Sequence, residues 1–213
     1  MKKIILIVTL GVLSTALYAQ SKGNSYVSAT VGFEFGNQEN KVSVGSFSES
    51  ETQPLASTFV IGTEYGYFIE DNFKLGLGLC LPITSSPVGK DDDEWLKSKT
   101  VGFGINPNVA YYARVNDNFY YVPELGVNFE FGDYEQEISL RESYNTDYKG
   151  WAVYLSILSF EFKVSKSFAL GLNMGTLGYS SLSMKDDQTD TTIDISSFKC
   201  DFNSADIHAR FYF

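Results

Sequence analysis

The chain has 213 residues, 16 lysines and arginines against 26 aspartates and glutamates, and a net charge of −10. That balance argues against nucleic acid, which clustered cations bind, and two cysteines, Cys80 and Cys200, are too few for a disulfide framework. Beyond the N-terminal segment there is no run of eighteen apolar residues, which excludes a helical membrane protein, while 17 Phe and 14 Tyr favour strands.

Residues 1–19 read as a signal peptide. Lys2 and Lys3 form a basic start, Ile4 to Leu13 an apolar stretch too short to cross a bilayer, and Ser14 to Ala19 a small-residue cleavage region. Leu17 is large for the third position before a cut after Ala19, so cleavage after Ala16 is the alternative. With no cysteine after the apolar stretch, lipid anchoring is not expected. Residues 20–213 are expected to form a single domain, more acidic still without the two lysines.

From Tyr26 onward apolar residues recur at every second position, the period of a strand. Five segments follow in order: Tyr26–Gly36, Thr58–Phe68, Phe73–Ile83, Thr100–Val115 and Phe119–Gly132. In the third, for example, Phe73, Leu75, Leu77, Leu79 and Leu81 oppose Lys74, Gly76, Gly78 and Cys80. Gly150–Val164 changes parity, with Trp151, Val153, Leu155 and Ile157 odd but Phe160, Phe162 and Val164 even. One extra residue near Leu158 and Ser159, a bulge, accounts for the flip. Phe168–Tyr179 and a segment from about Phe198 to Phe213 complete eight strands. Pro107 and Pro123 should sit at a bulge or strand end.

The connections alternate in length. Glu70–Asn72, Asn116–Asn118 and Ser165–Ser167 are short turns, whereas Asn37–Ser57, Thr84–Lys99, Asp133–Lys149 and Ser180–Ser197 read as long polar loops. One face of the strands is bulky, with Phe, Leu, Val and Tyr; the other carries Gly, Asn, Ser, Thr and some charges. Eight strands enclose only enough space for side chains, so bulky residues would overfill the interior and the small polar face must point inward. The apolar face then meets lipid, as in a transmembrane barrel. Tyr65, Tyr67, Phe73, Phe119, Tyr121, Trp151, Phe168, Phe211 and Phe213 could form its aromatic girdles. A soluble lipocalin-like barrel is the alternative.

With its eight alternating segments, its Tyr-Phe-Ile-Glu-Asp-Asn-Phe turn and its terminal Ala-Arg-Phe-Tyr-Phe, the chain resembles the small outer-membrane β-barrels of OmpA/OmpX type, in a Bacteroidetes-like, porin-family form. The resemblance implies an eight-stranded antiparallel up-and-down barrel in a Gram-negative outer membrane, with periplasmic turns and extracellular loops. It implies contact with outer-membrane lipid and lipopolysaccharide, and with the barrel-assembly machinery, for which Phe213, Phe211 and Ile207 would be the signal. The peptidoglycan-binding role of OmpA is not implied.

Inward parity collects a set of charges. Lys74, Arg114, Lys163 and Arg210 fall near the turn ends, Glu64, Glu124, Glu161 and Asp206 near or just above them, and Glu34 and Glu130 higher. Charges in a low-dielectric lumen must pair, which predicts a network that plugs it; a narrow pore is the sharper alternative. His208 lies between Asp206 and Arg210, but without a reachable nucleophile it does not make a triad. No catalytic, cofactor or metal site is expected. Asp91–Glu94 and the cluster Asp186, Asp187, Asp190 and Asp194 read as solvated loop tips rather than cation sites. Cys80 and Cys200 share the inward parity, on strands almost across the ring, and are expected as free thiols.

These features predict a non-enzymatic envelope protein whose barrel displays loops for envelope integrity, adhesion or contact with a host or neighbouring surface. A narrow porin for small solutes is the alternative.

Overall fold

The computed structural model describes residues 20–213 except 37–38, 45–46, 53–55, 92–93, 140–141, 187–190 and 203. The signal segment expected over 1–19 lies outside the described residues, as do 92–93 and 187–190 of the two acidic clusters. The described chain is all β and antiparallel, with fifteen strands. They are β1 (Ser25–Gly36), β2 (Glu39–Val44), β3 (Phe47–Thr52), β4 (Ala56–Glu70), β5 (Phe73–Asp91), β6 (Glu94–Tyr111), β7 (Ala113–Arg114) and β8 (Phe119–Tyr121). There follow β9 (Glu124–Ser139), β10 (Glu142–Ser156), β11 (Ser159–Lys163), β12 (Phe168–Asn173), β13 (Thr176–Asp186), β14 (Thr191–Asp201) and β15 (Ser204–Tyr212).

Thirteen of them form one sheet in the order β14-β13-β10-β9-β6-β5-β4-β1-β15-β12-β11-β8-β7, and β2 pairs with β3 separately. The sheet curls round on itself. Its last strand, β7, continues β6 after Tyr112 alone, and the Tyr112 amide donates to the Asn72 carbonyl at 2.7 Å.

Fifteen strands stand where eight segments were expected because five of the segments are interrupted and β2 and β3 form a hairpin within the expected loop 37–57. Val122-Pro123 parts β8 from β9, where proline has no N–H to give the ladder. Pro107 lies inside β6, at a gap in the β6–β9 ladder between Ile105↔Phe129 and Asn108↔Gly126. Between β10 and β11 the parity change has its bulge: Ser156 pairs with Glu124 but Phe160 with Tyr121, so this strand carries one residue more than its partner. A second parity change, not expected, falls at Met174-Gly175: Leu170 and Met174 are exposed before it and Tyr179 after it. The β6–β7 break is at Tyr112, and β14–β15 breaks at 202–203, where Asp201 and Asp206 pair with Thr176 and Asn173.

The long loops are largely replaced by strand hairpins. β5 and β6 pair out to Asp91↔Glu94, β9 and β10 to Ser139↔Glu142, β13 and β14 to Asp186↔Thr191. These extensions are mostly polar, and apolar residues in them such as Leu182, paired with Ile195, do not continue the outward alternation of the strand below, so alternation did not reveal them. At the opposite end the turns are tight, and Asn72 takes a left-handed φ of 64° that asparagine tolerates.

The outer face of the sheet is apolar and uncovered. Leu77 is 53% exposed and Leu81 51%, with Ile61, Leu125, Phe129, Ile207 and Phe211 similarly bare. Of the expected girdle, Tyr65, Tyr67, Trp151, Phe211 and Phe213 are exposed, while Phe73, Phe119, Tyr121 and Phe168 are half-buried. The buried core is small and lies inside the curl at the turn end: Tyr26, Phe68, Ala110, Tyr112, Tyr120, Val122, Ala169 and Tyr212. Tyr26 packs on Tyr212 with ring centres 5.3 Å apart, and Phe68 on Tyr112 at 5.2 Å.

Candidate functional site

Strand parity brings most of the inward charges together beside this aromatic layer, in two clusters. Lys74, on β5, is fully buried and donates to Glu64 at 2.5 Å and Glu124 at 2.9 Å, and to the Tyr26 hydroxyl at 2.8 Å. Glu64 also accepts from the Tyr26 hydroxyl and from Asn108 Nδ2 at 3.1 Å, and Tyr154 lies 2.9 Å from Glu124. In the second cluster Arg210 Nη1 donates to Glu161 at 2.7 Å, and both residues are buried. Glu161 accepts in addition from the Tyr212 hydroxyl at 2.7 Å and Gln20 Nε2 at 2.9 Å. Tyr26 links the two, with the Arg210 guanidinium 5.3 Å above its ring. Each charge of the two clusters therefore meets an opposite charge, and each carboxylate accepts from further donors, the condition under which burying it is tolerable.

Other expected members lie elsewhere. Arg114 does not face the lumen: β7 ends there, and its guanidinium pairs with Asp117 in the turn, the two side chains 60% and 89% exposed. The short connection lets the arginine curl back into water, which parity alone does not reveal. Lys163 is half-buried near the turn end, its ammonium 4.9 Å over the Tyr120 ring. Glu34, Glu130, Asp206 and His208 line a cavity above the clusters.

That cavity measures about 580 Å³, and Glu64, Glu124, His208 and Arg210 are among its lining. It departs from the expectation of a lumen filled by side chains, because the walls above the plug are small: Ser28, Thr30, Gly62, Gly78 and Ser156. Glu130 accepts from the Tyr148 hydroxyl at 2.5 Å and Asn128 Nδ2 at 3.4 Å, and Asp206 from Asn173 Nδ2 at 3.5 Å. His208 is buried, and its Nε2 has no hydrogen-bond partner among the described residues. Cys80 faces this cavity, but Cys200 is exposed and pairs with outward Leu177, the reverse of its expected parity. Asp201 and Asp206 both line the cavity although they are five positions apart, so parity reverses across the β14–β15 break. Both thiols are free.

Sequence reasoning missed Gln20 and the inward role of Tyr26, Tyr112, Tyr148 and Tyr154. The tyrosines share the parity of the glycines and asparagines on their strands, which was the available signal; nothing in the sequence marked Gln20. The candidate assembly residues Ile207, Phe211 and Phe213 are exposed on one face. Phe213 exchanges two backbone hydrogen bonds of 2.9 Å with Ser25, so the last residue is joined to the start of β1.

The outer membrane protein OprG from Pseudomonas aeruginosa matches over 92% of this chain and 98% of its own, with a TM-score of 0.51 at 12% identity. The fold is that of an outer-membrane β-barrel. At this identity the likeness concerns the fold alone. Neisserial surface protein A (14% identity, 90% of this chain and 98% of that one, TM-score 0.41) and the attachment invasion locus protein Ail of Yersinia pestis (11%, 90% and 99%, 0.40) are more distant in shape. No protein-family model and no curated protein matches the sequence.

Proposed function

We propose that the chain is a non-enzymatic outer-membrane barrel of the small OmpA/OmpX type, exported by residues 1–19, that displays its hairpins outside the cell for envelope integrity or surface contact. The eight passes would be β1, β4, β5, β6–β7, β8–β9, β10–β11, β12–β13 and β14–β15. The observation that carries this reading is the inversion of faces: paired charges buried inside, bare leucine, valine and phenylalanine outside. From Phe73 to Ile83, β5 offers about 34 Å of strand, or about 26 Å of membrane normal at a tilt near 40°, which matches the apolar band of such barrels. Lipid and lipopolysaccharide would meet this face, and the barrel-assembly machinery would read the strand ending in Phe213. The short turns would then face the periplasm, where the two charge clusters and the tyrosine layer close the lumen.

Membrane fractionation with protease treatment of whole cells tests the placement: the protein should enter the outer-membrane fraction and be cut only at the hairpin end. Planar-bilayer recording tests the closed lumen, for which little or no steady conductance is expected. Recovery in the soluble fraction would refute the membrane reading, and stable open channels would favour a narrow porin.

A further inference from the structure

We infer that the cavity above the Lys74 and Arg210 clusters is a binding site for small organic cations bearing primary amines, of which short polyamines are the simplest. Its volume of about 580 Å³ suits a small ligand. Its charge is one-sided. Lys74 is engaged by Glu64 and Glu124, and Arg210 by Glu161, whereas Glu130 and Asp206 accept from the neutral donors Tyr148, Asn128 and Asn173. Among the described residues, neither carboxylate forms an ion pair. Two carboxylates on a cavity wall without a cation call for one from outside.

The orphaned polar atoms point independently to a ligand. His208 is buried, lines the cavity and leaves Nε2 without a partner among the described residues; Asn173 Oδ1, also in the lining, is likewise unpartnered. Asn173 Oδ1 accepts, as does Nε2 of a histidine carrying its proton on Nδ1. An alkylammonium supplies both the charge for Glu130 and Asp206 and the N–H donors for these acceptors. A sugar-like polyol supplies donors without charge. A divalent cation needs six or more converging oxygens, and the described residues contain no group of three suitable ligands.

Cys80 lines the same cavity and reports on it. In a folded Cys200→Ser barrel in detergent micelles, a cationic methanethiosulfonate should modify Cys80 at least about tenfold faster than an anionic one, the range of electrostatic focusing in a charged cleft. Spermidine should slow the modification saturably and give matching calorimetric binding, whereas trehalose and Mg²⁺ at the same concentration should not. The double variant Glu130→Gln, Asp206→Asn should lose most of the reagent preference and weaken spermidine binding at least about tenfold. Gel migration of unheated samples checks folding. Equal reagent rates, no effect of spermidine, protection by trehalose or Mg²⁺ as strong as by spermidine, or an unaltered double variant would each overturn the inference. If the double variant does not fold, the comparison of solutes on the Cys200→Ser barrel still decides. A soluble barrel would give the same labelling pattern, so this inference and the membrane reading fail separately.

Discussion

Removing the Lys74 ammonium should be among the most damaging single changes in the lumen. Lys74→Met keeps much of the side-chain volume and leaves Glu64 and Glu124 without their shared cation. Breaking a buried pair costs about 3–5 kcal/mol because the remaining charge is stranded. Two carboxylates are stranded here, but the costs should not add. Either acid can take up a proton, their side chains retain 15% and 16% exposure to the cavity, and donors from Tyr26, Asn108 and Tyr154 remain. A total near about 3–5 kcal/mol is therefore expected. The triple variant Lys74→Met, Glu64→Gln, Glu124→Gln should recover most of it, since a neutral hydrogen-bonded cluster strands no charge. Arg114→Ala should cost no more than about 1 kcal/mol, being an exposed pair. Urea titration in lipid vesicles, followed by tryptophan fluorescence and gel migration, measures all three. A Lys74→Met barrel as stable as wild type, or one no weaker than Arg114→Ala, would refute the buried network.

Leu77→Arg places a charge on the outer face and should cost about 2–4 kcal/mol in vesicles, whereas Gly78→Ser, facing the cavity with its nearest side chain 3.4 Å from an added Cβ, should be tolerated; equal stability of the two would invert the faces. Gly126→Val should destabilise by about 1–3 kcal/mol, because any Cβ there meets the Tyr154 phenol, and a neutral result in the same titration would disprove that contact. Deleting Phe213 removes its paired hydrogen bonds with Ser25 and should leave periplasmic precursor in pulse-chase fractionation; normal insertion would contradict its role.

Alternation made the two faces legible wherever one face was apolar. The bulge between β10 and β11 was legible for the same reason, since Trp151 and Phe162 lie on the outer face at opposite parity. The equivalent shift at Met174-Gly175 was legible in principle, because Leu177 and Tyr179 break the even series of Phe168 to Met174. The hairpin extensions were not, as they are mostly polar and their few apolar residues, such as Leu182 opposite Ile195, fall off the outward parity of the strands below. The ion pairs of Lys74 with Glu64 and Glu124 required knowledge of neighbouring registers, which parity does not supply: Lys74 pairs with Phe68 and Ala110, while Glu64 pairs with Ser28 and Gly78. Arg114 shows the converse, a residue of suitable type that a strand end releases into solvent.

Register also explains how a narrow lumen accommodates large side chains. Tyr26 pairs with Gly66, Asn108 with Gly76, Cys80 with Gly104, Tyr154 with Gly126 and His208 with Gly171. In each pair the bulky group lies over the glycine, in the space a Cβ would occupy. The glycines are thus cross-strand partners, and each of these five inward residues depends on one neighbouring position remaining small. Toward the turn end such bulky groups meet across the curl and form the plug. Above them the inward residues include serine, threonine and glycine without a large partner, and the lumen opens into the cavity. One inward face therefore both closes the barrel at its turn end, where the aromatic residues meet, and leaves a polar chamber above, where small residues dominate the wall.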